Sequence, residues 1–110
     1  MYARVARFEG GDVTRIDEQI AELRSQIEGA RSSGLPADAP QALRTLAETV
    51  SRVVELVDRA TGTSLGITFC DTEEEMRRAD EALDQMSPGG DAGRRTSVEI
   101  YEVALDEDFR

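Results

Sequence analysis

Between Tyr2 and Phe8 the chain alternates, with Tyr2, Arg4, Ala6 and Phe8 on one side and Ala3, Val5 and Arg7 on the other, the period of a strand. Glu9-Gly10-Gly11-Asp12 ends that pattern. Val13, Ile16, Ile20, Leu23 and Ile27 then recur at three- and four-residue steps, which predicts an amphipathic helix with one apolar stripe. Thr14 and Asp17 stand at capping-box spacing at its start. Gly34 and two prolines make 31–40 a loop.

The next stretch carries two periods at once. Leu43, Leu46, Ala47, Val50, Val53, Val54 and Val57 fit helical spacing, whereas Val53, Val54, Leu56 and Val57 form a largely β-branched run that ends at a turn. The reading adopted is a short helix over Gln41–Thr49 and a strand over Arg52–Asp58, the alternative being that 52–57 continues the helix. A turn at Arg59-Ala60-Thr61-Gly62 leads into a strand over Thr63–Cys70, where Leu65, Ile67 and Phe69 alternate with Ser64, Gly66, Thr68 and Cys70. Thr72 and Glu75 form a capping box, and Glu73–Glu75 suit the positive end of a helix dipole. Met76, Ala79, Leu83 and Met86 supply that helix's buried stripe. A glycine-rich loop over 87–94, a last strand over Thr96–Leu105 and a charged tail over 106–110 complete a single domain spanning 1–110.

The order β-α-β-β-α-β predicts an α+β, ferredoxin-like fold: a four-stranded antiparallel sheet with both principal helices on one face. The strands are apolar at both parities. Val54 and Leu56 oppose Val53 and Val57, and Val98 and Ile100 oppose Tyr101, Val103 and Leu105. A sheet apolar on two faces and covered on one requires a second cover, so the expectation is a homodimer joined through the sheet face.

Composition narrows the chemistry. The net charge of -10 argues against nucleic acid and against anionic membrane surfaces. All 13 cations are arginine, and lysine, histidine, tryptophan and asparagine are absent. Their absence removes the Ser-His-Asp triad, Schiff-base lysines and histidine-ligated zinc or haem. Cys70 is the single cysteine, which agrees with a reducing compartment. Strand-like sequence begins at Tyr2 and no apolar run is long enough to span a bilayer, so the expected location is cytoplasmic.

Most chemistry-bearing residues have a structural reading. Asp58 and Arg59 suit a hairpin turn. The loop Pro88–Gly93 precedes a strand and therefore lacks the helix N-terminus of a phosphate cradle. Glu73, Glu74 and Glu75 point about 100° apart along a helix and cannot converge on a metal; Glu73–Arg77 and Glu74–Arg78 are expected as surface pairs. Cys70 reads as a small buried residue. Glu55 and Tyr101 differ, because each is a polar group on an aliphatic strand. Either Arg4 pairs with Glu55 structurally, or Glu55 is a general base and Tyr101 or Arg4 orients a phenolic ligand beside Phe8 and Thr68.

Three segments, Leu56-Val-Asp-Arg-Ala-Thr-Gly62, Leu65–Phe69 entering Asp71-Thr-Glu-Glu-Glu75, and Val98-Glu-Ile-Tyr-Glu-Val103, resemble the antibiotic-biosynthesis-monooxygenase-like family of dimeric α+β barrels. The resemblance implies two ferredoxin-like sheets joined into one barrel per dimer, with a cleft between sheet and helices that takes small, often aromatic, molecules. It also implies oxidation of quinol-like or polyketide substrates without metal or organic cofactor. The haem-degrading branch of the family needs an axial histidine, which this chain lacks. Two functional expectations follow: a cofactor-independent oxygenase acting on an aromatic metabolite, and a non-catalytic ligand-binding or structural dimeric module.

Overall fold

Local sequence sets where each element starts and stops. In the computed structural model, which describes residues 1–86 and 93–110, the elements run β1 (Tyr2–Glu9), α1 (Ile16–Ser33), α2 (Gln41–Thr49), β2 (Val50–Asp58), β3 (Thr63–Cys70), α3 (Glu73–Gln85) and β4 (Arg94–Glu102). The strands form one antiparallel sheet in the order β2-β3-β1-β4, which is compatible with a ferredoxin-like fold. The ambiguous stretch resolves as helix and then strand: α2 stops at Thr49, and Val50 adopts extended backbone. The glycine-rich loop expected over 87–94 lies, for 87–92, outside the described residues.

Gly62 closes the β2–β3 hairpin at φ +78°, a conformation that favours glycine. Its N–H donates to the Asp58 carbonyl at 2.9 Å, and its carbonyl accepts from the Gly11 N–H at 3.2 Å, so the hairpin end is tied to the chain leaving β1. The Asp58 side chain accepts from the Ala60 N–H at 3.0 Å, the turn role expected of it. At α3, Thr72 accepts from the Glu75 N–H at 3.1 Å, and its hydroxyl donates to the Glu75 carboxylate at 3.0 Å. The capping-box residues therefore do meet.

The start of α1 differs from expectation. Thr14 and Asp17 form no box; Asp12 instead accepts from the N–H and hydroxyl of Thr14, at 2.9 and 2.6 Å, and the helix begins at Ile16 without a side-chain cap. Val13 lies outside the helix. Of the apolar stripe only Ile16 is buried, while Leu23 and Ile27 are 41% and 37% exposed. Asp17 pairs with Arg59 at 2.8 Å, which links the first turn of α1 to the hairpin.

Residues directly opposite across strands share a sheet face. Arg4 lies opposite Thr68 and reaches α3, so Tyr2, Arg4, Ala6, Thr68 and Cys70 mark the helix-bearing face. The core sits at one end of that face, where Cys70, Met76 and Ala79 pack with Tyr2, Leu46 and Val50. α3 buries Met76, Ala79 and Ala82, whereas Met86 is exposed, so the stripe runs through Ala82 and stops short of its expected end.

The opposite face carries Ala3, Val5, Arg52, Val54, Leu56, Leu65, Ile67, Phe69 and Tyr101, and none of these except Ala3 is buried. Among the described residues the buried apolar set is Ala3, Ala6, Ile16, Cys70, Met76, Ala79 and Ala82. Four of these are alanine, so the isolated chain hides little hydrophobic surface for its length. No helix among the described residues is long and apolar enough to cross a membrane.

Candidate functional site

Register decides which of the five candidate residues can act together. Glu55 lies opposite Gly66, and Gly66 opposite Ala6, which places Glu55 on the helix-bearing face with Arg4 and Phe8. A Cβ built on Gly66 would stand 3.4 Å from Oε2 of Glu55 and 3.9 Å from Cε2 of Phe8. Glu55 and Phe8 therefore flank a strand position without a side chain. Val53 and Val57 continue the same face of β2, and Val53 is 42% exposed.

Arg4 does not pair with Glu55. It is only 4% exposed; its Nε–H donates to Asp80 at 2.8 Å and its Nη2 to Asp84 at 3.2 Å, both on α3. Asp84 also forms an ion pair with Arg95 of β4 at 3.0 Å. The four charges balance, and two N–H groups of Arg4 clamp α3 onto the sheet. Thr68 sits beside it, buried in the floor.

Tyr101 lies opposite Ala3, on the other face of the sheet from Glu55. Its hydroxyl donates to Glu99, and that bond raises its pKa above the usual phenol range, with desolvation and the Glu99 charge adding to the shift. The expected pairing of Glu55 with Tyr101 or Arg4 is thus not formed: the sheet separates one partner, and α3 occupies the other.

Glu55 itself makes no hydrogen bond or ion pair among the described residues. It is exposed as a residue, yet the atoms packed around its carboxyl desolvate it and push its pKa above the usual carboxylate value. A carboxylate in that state can accept a proton or a hydroxyl hydrogen bond. Cys70, at 0% exposure, has its thiol pKa raised by burial and by the nearby Glu75 and Asp71 charges, the opposite of an activated nucleophile. On α3, Glu74 pairs with Arg77 at 2.9 Å, and Arg78 reaches Glu48 of α2 at 2.9 Å, rather than the Glu73–Arg77 and Glu74–Arg78 pairs expected. Among the described residues no group of three or more acidic, cysteine or histidine side chains could hold a metal. A hollow of about 450 Å³ lies at the hairpin end between Leu56, Asp58, Thr63 and Leu65, and it contains none of the five candidates.

Three residues that matter were not among those candidates. Gly66 carried a signal, since glycine inside a strand marks a close approach. Asp80 and Asp84 carried another, because an i,i+4 acid pair on one helix face suits an arginine below it. Compared with protein-family models and with curated proteins, the chain matches none.

Proposed function

We propose that the protein is a homodimeric, small-molecule-binding protein of the monooxygenase-like kind, whose ligand is a hydroxylated aromatic molecule lying over Gly66. The observation that carries this reading is Glu55: a desolvated carboxyl, without a partner among the described residues, beside a missing side chain and the edge of Phe8. In this reading the ring lies against the edge of Phe8 and its hydroxyl donates to Glu55. The second copy covers the apolar sheet face, where Leu56 and Tyr101 are 48% and 53% exposed.

In the catalytic form of this reading Glu55 removes the phenolic proton. The electron-rich phenolate then reduces dioxygen: one oxygen atom bonds to the para carbon and the other leaves as water. A phenol and O2 thus give a para-quinone and water, with all electrons drawn from the substrate. One observation favours the non-catalytic alternative. With Tyr101 across the sheet and Arg4 committed to α3, neither group expected to orient the substrate beside Glu55 is available there.

Titration with 1-naphthol, followed by its fluorescence and by oxygen uptake, separates the readings. Binding that is lost in Gly66→Val, together with 1,4-naphthoquinone formation slowed about 100-fold in Glu55→Gln, supports the oxygenase. Binding without oxygen uptake leaves the module. Absence of binding to the wild-type protein sinks both.

A further inference from the structure

The free edge of β2 and the segment after β4 have complementary chemistry. β2 and β4 are the two edges of the sheet, so the outer N–H and C=O groups of β2 have no strand partner among the described residues. Arg52, near the start of β2, lies over the Phe69 ring at 5.6 Å on the uncovered face and meets no carboxylate among the described residues. At the other edge, the Val103 N–H donates to the Met1 carbonyl at 2.9 Å and prolongs β4. Beyond it 104–110 forms neither helix nor strand, and Leu105 and Phe109 stand 79% and 105% exposed. In an extended chain Leu105, Glu107 and Phe109 share one side, an acid between two apolar groups.

We propose that 104–109 of a second copy adds as a fifth strand along the free edge of β2, with Glu107 facing Arg52. Leu105 and Phe109 then extend the apolar open face on either side of that pair, and the added backbone satisfies the outer groups of β2. The inference rests on the homodimer reading above and names the element that is exchanged. A chain's own segment cannot do this. A strand beyond β2 lies about 19 Å from β4, and 104–110 spans about 23 Å at full extension, so about one residue is left to pair. Exchange between two copies is reciprocal and closes on itself, because each gives one strand and receives one.

Sedimentation of the full chain at micromolar concentration tests the exchange. Leu105→Asp combined with Phe109→Asp raises the dimer dissociation constant about 100-fold while circular dichroism stays unchanged, since both side chains are free of the fold. Arg52→Glu and Glu107→Arg each weaken the dimer alone, and an equimolar mixture of the two restores it, because both cross-copy pairs are again of opposite sign. A dimer that survives the tail substitutions but is split by Leu56→Asp overturns the exchange and leaves the sheet-face dimer standing. Failure of the mixture to restore what the single variants lose also overturns the exchange. A folded wild-type monomer overturns both.

Discussion

The Nε–H of Arg4 donates to Oδ1 of Asp80 at 2.8 Å, joining a central strand to the helix above it across 76 positions of sequence. Arg4 is 4% exposed and Asp80 30%, so the pair lies where an uncompensated guanidinium is costly. Arg4→Ala is expected to destabilise the fold by about 3 kcal/mol, and Asp80→Asn by about 2 kcal/mol. Asp84→Asn, at the half-exposed partner, costs less than about 1 kcal/mol. Urea unfolding followed by circular dichroism ranks the three. An Asp84 effect larger than that of Asp80 would reverse the roles assigned to them.

Stability should depend on pH through Glu55. Its folded pKa is raised by desolvation, so the folded chain holds this proton more tightly than the unfolded chain does. The favourable contribution is complete below the ordinary carboxylate pKa and is lost as pH rises through the elevated folded value. Glu55→Gln removes the penalty of the desolvated charge. The variant is expected to melt higher than wild type at pH 7 and to show a flatter profile above the ordinary carboxylate range. Thermal melts across that range check it; parallel profiles would mean the carboxyl is solvated.

Gly62→Ala should damage the hairpin closure. The position holds φ +78°, and a Cβ there would stand 2.6 Å from the Gly11 carbonyl oxygen, a backbone atom with no rotamer to change. A loss of more than about 1 kcal/mol is expected from conformation alone, with the clash added to it. A chemical denaturation midpoint equal to wild type would mean that the chain after β1 is free to shift.

Thr72→Ala removes the cap that starts α3, and with it an acceptor for the Glu75 N–H. The expected cost is about 1 kcal/mol, recovered in Thr72→Ser and mostly recovered in Thr72→Asp. Hydrogen exchange localises the effect: amides in the first turn of α3 should lose protection before those of β1.

Short-range chemistry made much of this fold legible. α2 and β3 run over Gln41–Thr49 and Thr63–Cys70, the residues that sequence reading assigns, because Pro40 and Gly62 mark their starts through their own backbones and Thr72, after β3, caps the next helix with its side chain. β2 starts two residues before its expected Arg52, and β4 covers Arg94–Glu102 rather than Thr96–Leu105, since strand ends depend on what the neighbouring strand offers. The apolar stripe of α1 was visible as a pattern, but a pattern states that a face is apolar and not what will cover it. Leu23 and Ile27 accordingly lie open.

The candidate site divides in the same way. Polar Glu55 and Tyr101 stand out on aliphatic strands in any reading of the residues alone. Their separation follows from pairing, Glu55 through Gly66 to Ala6 and Tyr101 to Ala3, β1 positions of opposite parity that lie on opposite faces. A shift of one residue in either register would have put both on one face, with β3 and β1 still between them. Arg4 likewise could be read as a buried cation in need of an acid, but the acid came from α3 and not from β2.

What the linear chain determined by itself was the set of elements, their order and their breaks, because helix caps, glycine turns and hydrophobic periods act within a few residues. Tertiary structure alone decided that Arg4 belongs to Asp80, that Glu55 is left without a partner among the described residues and that Tyr101 faces away from it. Those outcomes depend on strand register and helix placement, which couple residues tens of positions apart, and no local preference encodes them.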